Sequence, residues 1–259
     1  METTHIAKWF FVISLAVFII AWSNKDKWPG QNEIVENVLR EPVQTEAQIS
    51  AFNVNVKGKQ YSINPKFNYE IWGMVVSCHE SRDLFDYYHE QWGDDLNVKD
   101  VCVVWGENVK SGIFRRMKFS SGSWTCYPSC PSKDWSQVMA EFRNDQLSNN
   151  HLLVESVPLF NQLRKVRRGD QIYLKGYLVE YSHSNGKFTR GTSISRTDTG
   201  NGACETIFVT DFKMLRQANW FWRSIYSLFR ILVILSLIFW VVSHLKSEID
   251  SRPVLDKSL

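Results

Sequence analysis

The feature that most constrains this chain is an apolar run near its C-terminus, Ile225 to His244 (IYSLFRILVILSLIFWVVSH). Twenty residues rising about 1.5 Å each give a helix long enough to cross a bilayer's hydrocarbon core. Trp220, Trp222 and Trp240 lie near its ends, where amphipathic rings favour the membrane interface. Its only charge is Arg230. A second apolar run, Trp9 to Trp22 (WFFVISLAVFIIAW), follows Lys8. It reads as an uncleaved anchor with Trp9 and Trp22 at its two interfaces. The alternative is a cleaved signal peptide, since Ala21-Trp22-Ser23 resembles a processing site. A partner span at the other end of the chain favours the anchor.

Residues between Asn24 and Ala218 make up the rest. Excluding six basic and four acidic residues outside that stretch leaves 24 basic against 23 acidic. So even a balance argues against a nucleic-acid surface built on bulk charge, and no nucleic-acid partner is expected. Five cysteines, Cys78, Cys102, Cys126, Cys130 and Cys204, are an odd number. Cys78 and Cys102 sit in apolar runs and read as buried small hydrophobes. Cys126-Tyr-Pro-Ser-Cys130 is the one close pair and the candidate disulfide; its spacing does not match a zinc site, and no metal is expected.

The chain divides into a tail (1–8), a first span (9–23), a linker with a short amphipathic helix (24–50), a β-rich domain (51–216), an interfacial collar with the second span (217–245) and a polar tail (246–259). Within the domain, Phe52, Val54 and Val56 alternate with polar residues, and Lys57-Gly58 predicts a hairpin that Pro65 ends. Tyr69–Ser77 and Asp100–Gly106 read as strong strands, the second buried on both faces. Gly112–Phe119 reads as a strand. Ser132–Gln146 reads as a helix with Trp135, Val138, Met139 and Phe142 on one face. Leu147–His151 reads as a break, and Ser156–Val166 as a short helix opened by Pro158. Gln171–Tyr181 alternates cleanly, with Gly176 marking a bulge or bend, and Glu205–Leu215 is the last strand.

Six or seven strands without regular βαβ alternation imply an α+β fold, mainly antiparallel, flanked by two transmembrane helices. The element Val166-Arg-Arg-Gly-Asp-Gln-Ile-Tyr-Leu-Lys-Gly-Tyr-Leu is similar to one common in small Greek-key barrels of the OB type, which implies an OB-like barrel as the specific form.

No P-loop or GxGxxG fingerprint is present, so no cofactor is expected. The most unusual stretch is Arg190 to Glu205 (RGTSISRTDTGNGACE). Arg forks, hydroxyls and flexible glycines can bind phosphate or carboxylate, which makes Arg190, Ser193, Arg196, Asp198, Gly200, Gly202 and His151 the candidate ligand site. The competing reading is a hairpin whose polar groups satisfy their own backbone. A Cys204/His151 hydrolase pair and a metal site among His79, Glu80, Asp83, Asp86, His89 and Glu90 are weaker alternatives. Lys213, Arg216 and Arg223, interleaved with Trp220 and Trp222, form a basic aromatic collar that Arg230 joins by snorkelling.

With two spans both tails share one side. More Lys and Arg flank the spans on the domain side, which predicts a cytoplasmic domain, with the extracytoplasmic side as alternative. Two function classes remain: a membrane-anchored interaction or ligand-sensing module, taking a protein partner or an anionic ligand, and a membrane-anchored enzyme using residues 190–205 on a phosphate-bearing or lipid-linked substrate.

Overall fold

The computed structural model describes residues 2–80, 93–122, 125–183, 188–195, 198 and 204–250. They form two compact units, Met1–Lys27 with Asn219–Leu259, and Trp28–Ala218.

The first unit is a pair of helices, α1 (Glu2–Asn24) and a C-terminal helix (Trp220–Asp250). Both are long and apolar enough to cross a membrane. They run antiparallel, with Phe11 stacked on Trp240 and Phe18 on Tyr226. Ala7, Ser14 and Ala21 are buried at every seventh position of α1; small side chains let the helices approach closely. At one end Arg223 Nε donates to the Lys25 carbonyl, and Asn219 Nδ2 donates to that of Lys27.

The second unit is mixed α+β and mostly antiparallel. Its strands are β1 (Val43–Glu46), β2 (Phe52–Val56), β3 (Lys59–Glu80), β4 (Asn97–Val104), β5 (Lys118–Ser121), β6 (Cys126–Ser129), β7 (Leu147–Leu153), β8 (Gln171–His183), β9 (Thr189–Arg190) and β10 (Cys204–Arg216). Among the described residues three short helices, α2 (Gly106–Lys110), α3 (Trp135–Glu141) and α4 (Val157–Leu163), join them, and the C-terminal helix is α5. The main sheet runs β1-β3-β4-β7-β10-β8-β9, with β2 paired to β3, and β3 also pairs with β8. The path β3-β4-β7-β10-β8 therefore returns to β3. All these pairs are antiparallel except β7 with β10.

The predicted hairpin is present: Val56 faces Lys59 across Lys57 (φ 51°) and Gly58 (φ 78°), the left-handed pair that a type I′ turn requires. Pro65 does not end it. β3 continues to Glu80, and the register shifts between Pro65 and Phe67; proline lacks a ladder donor and is tolerated at a bulge. The bend expected at Gly176 falls on its neighbour: the register skips between Val209 and Asp211, opposite Gly176 and Lys175. A Cβ on Gly176 would lie within about 2.0 Å of the Phe208 carbonyl oxygen, so this position takes only glycine.

Alternation along the strands divides their side chains between an inner cluster and an outer face. The inner cluster contains Ile71, Val101, Val103, Leu152, Leu174 and Ile207, with Leu163 of α4 and Val166 packed among them. The outer face is covered in two places. Residues 105–142 bury Met74, Cys102 and Val104 under Phe114, Val138 and Phe142. Phe188 packs with Tyr61, Ile63, Leu153, Tyr181 and Phe208.

Four expectations are corrected. The linker helix is two 3₁₀ turns, Gln31–Glu33 and Glu36–Leu39, and Val38 is fully buried in the patch with Met74, Phe114 and Val138. Gly112–Phe119 holds a 3₁₀ turn, Ile113–Arg116, before β5 begins. The helix at 132–146 narrows to α3, with Trp135 half exposed. Beyond it Asn108 takes over the chain, accepting from Arg143 N and donating to the Arg143 and Gln146 carbonyls, which replaces the helical ladder. The break at Leu147–His151 is the fully paired strand β7.

The disulfide is also different. Cys126 pairs with Cys102 on β4 (Cα–Cα 6.1 Å), and Cys130 is free and partly buried. The hairpin β5–β6 lies over β4, so the long-range partner is nearer in space than the one four residues along.

Candidate functional site

The site lies on the outer face where β4, β7 and β10 run side by side. Register places Asp100 of β4 and Thr206 of β10 on either side of His151. His151 and Asp100 are fully buried. His151 Nδ1 is 2.6 Å from Asp100 Oδ1, and its Nε2 is 2.5 Å from Nη2 of Arg190 on β9. A guanidinium can only donate, so Nε2 accepts and the proton sits on Nδ1, directed at Asp100. Asn97 Nδ2 also donates to Asp100 Oδ1 at 3.0 Å.

Burial alone would raise the Asp100 carboxyl. The hydrogen bond of His151, the Asn97 amide and the Arg190 charge oppose it, and the group is held below its ordinary value. A second acid closes the network: Tyr181 OH donates to Asp94 Oδ2 at 2.6 Å, and burial with Asp94 alongside pushes the phenol well up.

Arg190 leads into the polar loop, whose described part is tied along β10. Ser193 N donates to the Cys204 carbonyl (3.0 Å), Thr206 N to Thr192 Oγ1 (3.0 Å) and Thr206 Oγ1 to the Gly191 carbonyl (2.8 Å). Ser193 Oγ donates to Asp198 Oδ2 at 2.7 Å, and Gln44 Nε2 reaches the Ile194 carbonyl. Of the seven predicted ligand residues, His151 and Arg190 therefore meet, and Ser193 and Asp198 meet. Arg196, Gly200 and Gly202 lie outside the described residues, as do Asp83, Asp86, His89 and Glu90 of the acidic loop.

Asp100, Asn97, Asp94 and Tyr181 were missed. Asp100 carried a readable signal: it is an acid at the mouth of an apolar strand. Asn97, Asp94 and Tyr181 carried none, because only the tertiary register brings them here.

The geometry is poor for a nucleophile. Thr206, not Cys204, is level with His151, and burial with Glu205 alongside raises the Cys204 thiol, the reverse of thiolate activation. Both His151 ring nitrogens are engaged. Among the described residues no group of three or more His, Cys, Asp or Glu could hold a metal. A cavity of about 40 Å³ lies beside the disulfide, lined by Thr125, Cys126, Asn144, Ser148 and Asn149. Small-molecule sites occupy hundreds of Å³.

The predicted collar divides. Trp9, Trp22 and Trp220 are exposed on the helix pair, while Trp222 and Trp240 are partly covered. Lys213 and Arg216 belong to the second unit, where Lys213 lies over the Tyr173 ring and Arg216 pairs with Glu33. Comparison with protein-family models, with curated proteins and with solved structures finds no match to this chain.

Proposed function

We propose that this chain is a two-span membrane protein whose central unit is an OB-type recognition module facing an oxidising compartment. The returning path β3-β4-β7-β10-β8, its single parallel pair and a helix between β7 and β8 support the OB-type reading. The Cys102–Cys126 disulfide supports the extracytoplasmic side over the cytoplasmic side that the flanking charges favour, because disulfides persist where thiols are not kept reduced.

The observation that carries a binding role over a catalytic one is the engagement of both His151 nitrogens by Asp100 and Arg190. A histidine held this way is a latch and not a general base. It fixes Arg190 and the hydroxyl-bearing loop behind it, and a fixed loop favours binding by lowering the ordering cost. The loop's hydroxyls and the guanidinium suit an anionic group, phosphate or carboxylate, on a ligand or partner protein.

The test uses the full chain in detergent, titrated with inorganic phosphate and with a glutamate-rich peptide. A saturable rise in melting temperature with one of them, reduced in Ser193→Ala, is expected; a probe at a hundred times its Kd adds about 2.7 kcal/mol. Indifference to both probes removes the anionic class. Hydrolysis of a phosphate ester by the wild type, lost in His151→Gln, replaces this reading with the enzymatic one.

A further inference from the structure

Arg230 is an exposed charge inside an apolar helix. From Thr3 to Ser23 and from Trp220 to Ser247 the two helices contain no Asp or Glu. Among the described residues no acidic group pairs with it. A second copy of the chain has the same two helices and so also lacks a carboxylate at that depth. A charge within a membrane span is costly and calls for a counter-charge, which must come from another molecule.

The neighbourhood of Arg230 indicates its chemistry. Arg223, Ser227 and Arg230 fall at i, i+4 and i+7 of α5, one stripe on one side of the helix. Ser227 and Arg230 are exposed, and Arg223 is partly so. Arg223 marks the polar end of the helix pair, where its Nε donates to the Lys25 carbonyl. Arg230 lies about 10 Å deeper along the axis, two turns at 5.4 Å each. An arginine side chain is long enough to snorkel back toward that end. Farther along the same stripe come Ile234, Ile238 and Val241, all exposed and apolar. The order along the helix is therefore cation, hydroxyl, cation and then a hydrocarbon track.

We propose that this stripe binds one anionic phospholipid, its phosphate between the Arg223 and Arg230 guanidiniums and an acyl chain along Ile234, Ile238 and Val241. Two planar guanidiniums match a phosphate's paired oxygens better than an ammonium does. The Ser227 hydroxyl donates to the Arg223 carbonyl, and its small side chain leaves room for the phosphate. Lipid is favoured over a protein carboxylate because the stripe opens at the polar end, where headgroups lie.

The inference rests on the two-span reading. Extraction of the wild type from membranes by alkaline carbonate would remove that reading and this one together. With the protein retained in the membrane, the test is specific. The full chain is placed in nanodiscs of phosphatidylcholine with and without phosphatidylglycerol, and bound lipid is counted by native mass spectrometry after release. Wild type is expected to retain phosphatidylglycerol in preference. Arg230→Gln is expected to lose that preference about fivefold, since one basic group near anionic lipid is worth about 1 kcal/mol. Arg230→Lys inserts like the wild type and keeps an intermediate preference. Lys246→Gln, at the far end of α5, leaves it unchanged. Equal retention by wild type and Arg230→Gln overturns the proposal. So does a cross-link from position 230 to a carboxylate of another membrane protein.

Discussion

Strands β4 and β7 are neighbours, antiparallel and both buried, yet the second half of β4 is apolar and the middle of β7 is polar. Val101 to Val104 of β4 is a continuous apolar run with no exposed residue. β7 reads Leu-Ser-Asn-Asn-His-Leu-Leu, and Ser148 to Leu153 is as thoroughly buried. The first is stable anywhere water is excluded; each side chain gains about 1.5–3 kcal/mol on burial. The second is stable only where specific partners wait: Val101's carbonyl for Asn150, Asp100 and Arg190 for His151. An apolar strand is specified by its own residues, and a polar buried one by its neighbours.

The sharpest way to break this contrast is at His151. His151→Leu is expected to cost about 3–5 kcal/mol, because it leaves Asp100 charged and buried without its main partner. Pairing it with Asp100→Leu tests the mechanism. The double variant should be more stable than the sum of the single losses predicts, with a coupling of about 0.5–3 kcal/mol, because replacing a buried pair with apolar groups is often neutral. Chemical unfolding of the full chain in detergent reads this. Additive losses would show that His151 acts through packing alone, as Val103 does on β4.

Acid should loosen the Asp100–His151 link between β4 and β7 before it touches the apolar run Val101–Val104. The Asp100 carboxyl is held below its ordinary value, so its contribution is complete above pH about 4, the unfolded carboxylate value, and is lost as pH falls through the lower folded value. Stability of the full chain should therefore fall on the acid side, and Asp100→Asn should flatten that fall. The effect is smaller than that of His151→Leu, because protonated Asp100 still accepts from Asn97. An acid limb identical in wild type and Asp100→Asn would assign the loss to partly buried carboxylates nearer the surface such as Glu70 and Asp145, each lowered by its salt-bridge partner.

The same contrast explains what could be read from the residues. The alternation in β8, the Lys57-Gly58 turn and both apolar helices were legible because each depends on local pattern or local backbone conformation. Leu147–His151 looked like a turn because Ser, Asn, Asn and His are turn formers by propensity, and their burial depends on partners fifty residues away. The disulfide failed for a related reason: Cys130 is close in sequence, but Cys102 faces Cys126 once β5 and β6 fold over β4. At the candidate site, the chemistry of His151 and Arg190 is visible in the sequence, and the structure brings them together. Asp100 reads in the sequence as the first residue of a strand.

The smallest expected effect sharpens the comparison most, because it separates the polar residues of β7 that are specified from those that are merely tolerated. Ser148 is 1% exposed, and its hydroxyl has no hydrogen-bond partner among the described residues. Its neighbour on the same face, Asn150, donates to the Val101 and Ser148 carbonyls. A buried hydroxyl without a partner costs free energy in the folded state, while the two bonds donated by the Asn150 amide nitrogen offset part of the cost of burying that side chain, whose Oδ1 has no hydrogen-bond partner among the described residues. Ser148→Ala removes the hydroxyl and keeps the Cβ, so the backbone ladder to Val103 stays in place. The change should leave stability within about 1 kcal/mol and not below the wild type. Asn150→Ala, on the same strand and face, should lose about 1–3 kcal/mol by removing both bonds that its amide donates and opening a void. Equal losses at the two positions would mean that β7 tolerates no apolar substitution anywhere, and that its polar character is a property of the whole strand instead of its individual partners.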